Sequence, residues 1–154
     1  MDSILAQDIK KAITNKESGN LENNDFKYYG DSLVCKSDTG MKLYFENKNN
    51  LSLKEIEKKY DISVKDCKKQ VSKSINENMI CITINDLNAT ELDDNFVVQI
   101  TNKQNSSQSM SVSTSPYIYI KKSMDSGDEK LINLSKAMYW YSQKAMEYSM
   151  TENR

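Results

Sequence analysis

Histidine is absent from the 154 residues. That removes Ser-His-Asp and Cys-His catalytic arrangements and every metal site that needs an imidazole ligand. Four glycines and one proline leave no Gly-rich phosphate loop, collagen-like repeat or Pro-rich segment. The cysteines, Cys35, Cys67 and Cys81, contain no C-x-x-C pair, so neither a zinc ribbon nor a thioredoxin-like motif is written. Their odd number leaves at least one thiol free in a monomer. Small buried hydrophobes in strands are the expected role. An activated thiol would need a Lys or a helix N-terminus, since no imidazole exists. No apolar run approaches the ~20 residues of a membrane span. The 21 basic and 22 acidic side chains give a formal charge of -1, which argues against a whole-chain field for nucleic acid or membrane.

What is present fits one domain with an appended N-terminal segment, since about 100–200 residues is the usual domain size. Hydrophobic residues make up 38% and the mean hydropathy is -0.72. Ile4, Leu5, Ile9, Ala12 and Ile13 fall at helical spacing, which predicts a short amphipathic helix over 3–13. Residues 14–25 are rich in Asn, Glu, Lys and Ser and are expected to be a linker. The division is therefore 1–25, helix and linker, and 26–150, a single β-rich domain with C-terminal helices.

Phe26 to Tyr29, Ser32 to Cys35 and Met41 to Phe45 are short strand candidates. Tyr29-Gly30-Asp31 and Ser37-Asp38-Thr39-Gly40 supply turns between them. Met79 to Ile84 is apolar on both sides and predicts a central strand. Phe96 to Ile100 is another strand, and Asn102 to Ser109 a polar hairpin loop. Ser115-Pro116 places a capping residue before a proline at the first helical position, starting a helix to about Met124. Ser126 to Glu129 has the S-x-x-E capping pattern, starting a long helix to about Ser149. Leu131, Leu134, Met138, Tyr141, Ala145 and Tyr148 form its apolar stripe, expected to pack on the sheet.

Residues 51–73 admit two readings. As a helix-turn-helix, Ser52 and Glu55 start the first helix, Asp61-Ile62-Ser63 is the turn, and Lys65, Lys68, Lys69 and Lys73 meet DNA. Asp61 stands where the turn usually has a small residue, and the reading helix has no arginine, the commonest guanine reader. As a strand, Ile56, Lys58, Tyr60, Ile62, Val64 and Asp66 point one way with a polar face opposite. The strand is preferred.

Tyr29-Gly30-Asp31-Ser32-Leu33-Val34 through Lys42-Leu43-Tyr44-Phe45, then Ile82 to Asp94, then Leu134-Ser135-Lys136-Ala137-Met138-Tyr139-Trp140-Tyr141 carry a resemblance. Together, over roughly residues 27–149, they are similar to an uncharacterised β-rich domain with two C-terminal helices found in large secreted and cell-surface proteins of Firmicutes, of clostridial type. The resemblance implies a strand at 55–67, an extracellular or cell-surface location as part of a larger protein, and neighbouring domains as partners. It implies no catalytic residues. The N-terminal helix departs from that pattern. Met1-Asp2-Ser3-Ile4-Leu5 also lacks a basic stretch ahead of an apolar one, so it is no signal peptide. A native start at Met1 would instead imply a cytoplasmic protein.

Chemistry-bearing groups are scarce. Asp93-Asp94 precede a strand, where neighbours point to opposite faces, which does not suit a general acid/base pair. Asp125, Asp128 and Glu129 sit at a helix start, where acids complement the dipole. They do not match the EF-hand loop. No Ser-x-x-Lys, G-x-S-x-G, P-loop or dinucleotide motif occurs. No enzyme activity, cofactor or metal is expected. Aromatics concentrate instead near the C-terminus. Trp140, flanked by Tyr139 and with Lys136 and Lys144 one turn away, is the candidate partner-binding group, since Trp and Tyr are enriched at binding hot spots. The expected ligand is a carbohydrate or a protein, without membrane insertion.

The fold class expected is α+β, a mostly antiparallel sheet or small sandwich closed by a C-terminal helix pair. The expected function is a non-catalytic module of a surface or secreted protein. The alternative is a cytosolic DNA-binding regulator using 51–73.

Overall fold

Apolar residues recurring every second position mark the strands over 39–47 and 96–102 in the computed structural model, which describes residues 3–35 and 38–152. In chain order the helix Ser3–Ala12 is α1, then come strands Ser18–Asn20 (β1), Phe26–Cys35 (β2) and Thr39–Asn47 (β3). A short helix Leu53–Lys59 (α2) runs directly into Tyr60–Val64 (β4), followed by Val71–Asn76 (β5) and Met79–Ile84 (β6). Phe96–Asn102 (β7) and Met110–Thr114 (β8) lead to the helices Pro116–Ser123 (α3) and Glu129–Glu152 (α4). The fold is α+β. Met1, Asp2, Lys36, Ser37, Asn153 and Arg154, and the side chains of Ser3, Ile4, Cys35, Thr151 and Glu152, lie outside the described residues.

The described residues form two compact units, each discontinuous in sequence. The strand unit comprises 17–87 and 96–114. It contains two antiparallel four-stranded sheets, ordered β1-β8-β7-β4 and β2-β3-β6-β5. Met41, Leu43 and Phe45 of β3, Ile80, Ile82 and Ile84 of β6, and Phe96, Val98 and Ile100 of β7 are all buried. Each set shares a face because side chains alternate along a strand. Polar and aromatic contacts join the sheets: the Phe26 and Tyr60 rings lie 4.9 Å apart, and Thr114 Oγ1 donates to Asp31 Oδ2 at 3.2 Å.

Several expectations change here. The turn expected at Tyr29-Gly30-Asp31 is a bulge inside one continuous strand, with the register shifting between Tyr28 and Gly30. The extra residue, Tyr29, is thrown outward and exposed. Within the expected linker, β1 pairs with β8. Gly19 makes this possible: a Cβ there would stand 2.1 Å from the Ser111 carbonyl oxygen, and its φ is +125°.

Residues 51–73 follow neither reading throughout. Ser52 caps α2 reciprocally, its Oγ accepting from Glu55 N at 3.2 Å while its own N–H donates to Glu55 Oε1 at 3.3 Å. The helix buries only Ile56. From Tyr60 the period-2 pattern takes over, with Tyr60 and Val64 buried and Asp61 and Ser63 exposed. The strand reading therefore holds for 60–64 and fails for 55–59, where the cap and the helix-favouring Lys and Glu residues win, and for 65–67, which is turn and loop. The second helix of a helix-turn-helix is not formed, since 71–76 is β5.

The helical unit comprises 3–16, 88–95 and 115–152. Here α4 packs on α3, on α1 and on the 3-10 turn Ala89–Glu91. Ser115 caps α3 as expected, accepting from Tyr117 N at 3.2 Å, with Pro116 at the first helical position. Asp128, rather than Ser126, caps α4: its Oδ1 accepts from Lys130 N at 3.1 Å and Leu131 N at 3.2 Å. Ser126 Oγ instead accepts from Asp128 N at 3.2 Å.

Candidate functional site

The face that α4 turns outward differs from the one its hydropathy predicts. Ser135 and Ser142 are fully buried, and Met138 and Tyr139 are buried with them. Leu134, Tyr141 and Tyr148, expected in the core, are 50%, 69% and 67% exposed. Small serines let the helix approach its neighbours closely, and their polarity hides them from any hydropathy count. Ser142 Oγ lies 2.9 Å from the Tyr117 hydroxyl, which also accepts from Gln143 Nε2 at 2.9 Å. Tyr117 meets Tyr139 edge-on at 5.4 Å. Burial pushes both phenols above their ordinary value.

The sequence-predicted partner residues divide accordingly. Trp140 is 43% exposed, its indole tilted 39° against the Tyr139 ring. Lys144 is exposed and pairs with Glu147 at 3.6 Å. Tyr139 is buried, and Lys136 at 2% exposure presents no charge to solvent. Trp140 and Lys144 thus share the outer side of α4, while Tyr139 supports the indole from within and Lys136 belongs to the interior. Sequence reasoning missed Leu134, Tyr141 and Tyr148 as surface groups. The signal available was the seven-residue spacing of Ser135, Ser142 and Ser149, a second stripe competing for the inward face.

Leu134, Tyr141 and Tyr148 follow one another every seven residues, so they lie nearly in line along α4 and span about 21 Å. Trp140 sits one residue, about 100°, round the helix from Tyr141. The outer side of α4 therefore offers an apolar ridge with an indole along one flank.

Two carboxylates of the strand unit lie among hydrogen-bond donors, Asp25 buried and Asp31 half-buried. Asp25 accepts from Tyr60 OH at 2.6 Å, from Asn49 Nδ2 at 2.6 Å and from Lys59 Nζ at 2.7 Å. Burial opposes its charge, but the hydrogen bonds from Lys59, Tyr60 and Asn49 together hold the carboxyl below its ordinary value. Burial, and then Asp25, push the Tyr60 phenol up to about 12. Asp31 Oδ2 accepts from Tyr28 OH at 2.5 Å, while its buried Oδ1 has no partner. Burial and the adjacent Asp31 drive the Tyr28 phenol far above its usual range. Each cluster holds one carboxylate among donors, an arrangement that fixes loops and strands.

The acidic group at the end of the 3-10 turn is exposed at Asp93 and Asp94. Partial burial, and then repulsion from Asp93 and Glu91, raise the Asp94 carboxyl. Among the described residues no grouping of Cys, Asp and Glu is placed to hold a metal ion. Cys81 is buried in β6, as expected, whereas Cys67 is half-buried in the loop after β4; both are free thiols. Of the four lysines proposed to read DNA, Lys65 is on the turn after β4, Lys68 and Lys69 are in the next loop, and Lys73 is within β5. Lys69 Nζ donates to the Asp86 carbonyl at 2.9 Å. They form no common helical face.

The chain is thus an α+β protein with an exposed apolar ridge on its long helix. No family model, curated protein or solved structure matches it. Among the described residues no helix is long and apolar enough to cross a membrane.

Proposed function

We propose that this protein is a non-catalytic binding module that docks a protein partner on the outer side of α4. The observation that carries the proposal is the line Leu134, Tyr141 and Tyr148, at least half exposed at heptad spacing along one helix. Large apolar side chains left in water in register are the usual mark of an interaction site. Their spacing suits an amphipathic helix laid alongside α4, with Trp140 and Lys144 at its rim. Of the two expected ligand classes this favours protein over carbohydrate, because a sugar needs one aromatic plane with clustered hydrogen-bonding groups. The resemblance to surface-protein domains extends the proposal to a module within a multidomain extracellular protein. An upstream signal peptide in the genomic reading frame tests that extension.

The docking surface is tested with a displayed library of amphipathic helical peptides panned against the full chain. Trp140 is the sole tryptophan, so its emission reports binding directly. Selected peptides are expected to shift Trp140 emission and to bind the Leu134→Ser/Tyr141→Ser/Tyr148→Ser variant at least about tenfold more weakly. Circular dichroism confirms that the variant folds. Equal binding to both proteins, or no enrichment, refutes the proposal.

A further inference from the structure

An open cleft of about 660 Å³ lies within the helical unit, at the C-terminal end of α1. Lys10, Lys11, Lys16 and Lys121 line it, with the polar groups of Gln7 and Thr14, and no carboxylate does. Part of this charge has a structural explanation. Lys10 and Lys11 fall in the last turn of α1, where cations complement the helix dipole. Lys10 Nζ is also bound to Asp125 at 2.6 Å, and Lys121 Nζ donates to the Ile13 carbonyl at 3.3 Å. These contacts neutralise one ammonium group. Lys11 and Lys16 make no ion pair or hydrogen bond among the described residues, and both are exposed. In a chain with 22 acidic side chains and a net charge of -1, a cleft with three uncompensated ammonium groups and no acid is not an average piece of surface.

We propose that this cleft binds a soluble anion carrying two or more phosphate groups. Ammonium groups bind phosphate as point charges, without the fixed geometry that an arginine fork imposes on carboxylate and phosphate alike. Three uncompensated charges call for a multiply charged ligand rather than a single carboxylate. The volume lies within the range of small-molecule sites, about 300–1,000 Å³, and exceeds what one phosphate fills. No aromatic side chain lines the cleft, so there is nothing for a base to stack on. The site therefore selects by charge and phosphate count, and is indifferent to any base attached. It is separate from the ridge on α4 and does not depend on the docking proposed there.

The test is calorimetric titration of the full chain with inorganic tripolyphosphate at low and moderate salt. One-to-one binding is expected, weakening as salt rises, with ATP, GTP and tripolyphosphate binding alike and orthophosphate far more weakly. Lys11→Gln and Lys16→Gln, both exposed positions, are each expected to weaken binding about fivefold, and together more than tenfold. Lys54→Gln, an exposed lysine of α2 that does not line the cleft, leaves it unchanged. The assignment is overturned by the absence of saturable binding up to millimolar ligand, or by an unchanged affinity in the Lys11→Gln/Lys16→Gln variant. Binding confined to anionic phospholipid vesicles, with none to free tripolyphosphate, overturns it equally.

Discussion

Replacing Asp25 probes the strand unit where burial and charge meet most directly. Its carboxylate holds Tyr60 of β4, Asn49 of the loop after β3, and Lys59 at the end of α2. A hydrogen bond to a charged acceptor contributes about 1.5–3 kcal/mol. Lys59 is half-exposed, so its ion pair adds at most about 1 kcal/mol. Asp25→Asn keeps one acceptor oxygen and turns the other into a donor facing donors. It therefore loses about one such bond, roughly 2 kcal/mol. Asp25→Ala strands both the Tyr60 hydroxyl and the Asn49 amide and is expected to cost about 3–4 kcal/mol.

Urea unfolding followed by circular dichroism reads these losses. With a slope of about 2 kcal/mol per molar, Asp25→Asn shifts the midpoint by about 1 M at pH 7, with the slope unchanged. The pH dependence separates the charge from mere packing. The folded carboxyl titrates below its ordinary value of 3.8. Between the two values the unfolded chain binds more protons. The stabilisation is thus complete above the unfolded value and is lost as pH falls through the folded one. The gap between wild type and Asp25→Asn should be constant from pH 5 to 8 and narrow below about pH 4. A gap that is missing at pH 7, or undiminished at pH 3, refutes the reasoning.

Ser52→Ala removes the reciprocal cap of α2 and is expected to cost about 1 kcal/mol, seen as a lower thermal midpoint, with Ser52→Asp close to wild type. Gly19→Ala drives a methyl group into the Ser111 carbonyl and forces a positive φ on alanine. It should unpair β1 from β8, raising amide exchange at Ser18–Asn20 at least about tenfold. Tyr117→Phe retains the ring contact with Tyr139 but loses the hydroxyl shared with Ser142 and Gln143, an expected loss of about 1–2 kcal/mol. Urea unfolding monitored through Trp140 fluorescence checks it; an unchanged midpoint would show that the hydroxyl adds nothing.

The strand unit was legible wherever one periodicity acted alone. Met41, Leu43 and Phe45 alternate cleanly, and β3 forms as expected. Where two local signals competed, the sequence was ambiguous for a physical reason. Residues 52–64 carry a capping box, Ser52 with Glu55, followed by a period-2 run from Ile56, and the chain uses each in turn, helix to Lys59 and strand from Tyr60. Tyr29-Gly30-Asp31 has turn composition, yet the long pairing of β2 with β3 absorbs it as a bulge. Ser18–Asn20 has no apolar residue to announce a strand, and its pairing depends on the close approach that Gly19 allows.

The orientation of α4 was the least legible feature, and it decides which side chains the helix leaves in water. Leu131, Leu134, Met138, Tyr141, Ala145 and Tyr148 alternate at three and four residues, the pattern of a buried seam. Turning that seam inward would place Tyr141 and Tyr148 where small residues now sit and would push α4 away from α3. The Ser142 hydroxyl could not then lie 2.9 Å from Tyr117. Close packing on Ser135 and Ser142 with Tyr139 between them forfeits the burial of Leu134, Tyr141 and Tyr148, each worth about 1.5–3 kcal/mol if fully buried. One rotation of the helix therefore accounts both for serines in the interior and for aromatics in water. A partner helix on the outer side would recover the burial that the chain alone gives up.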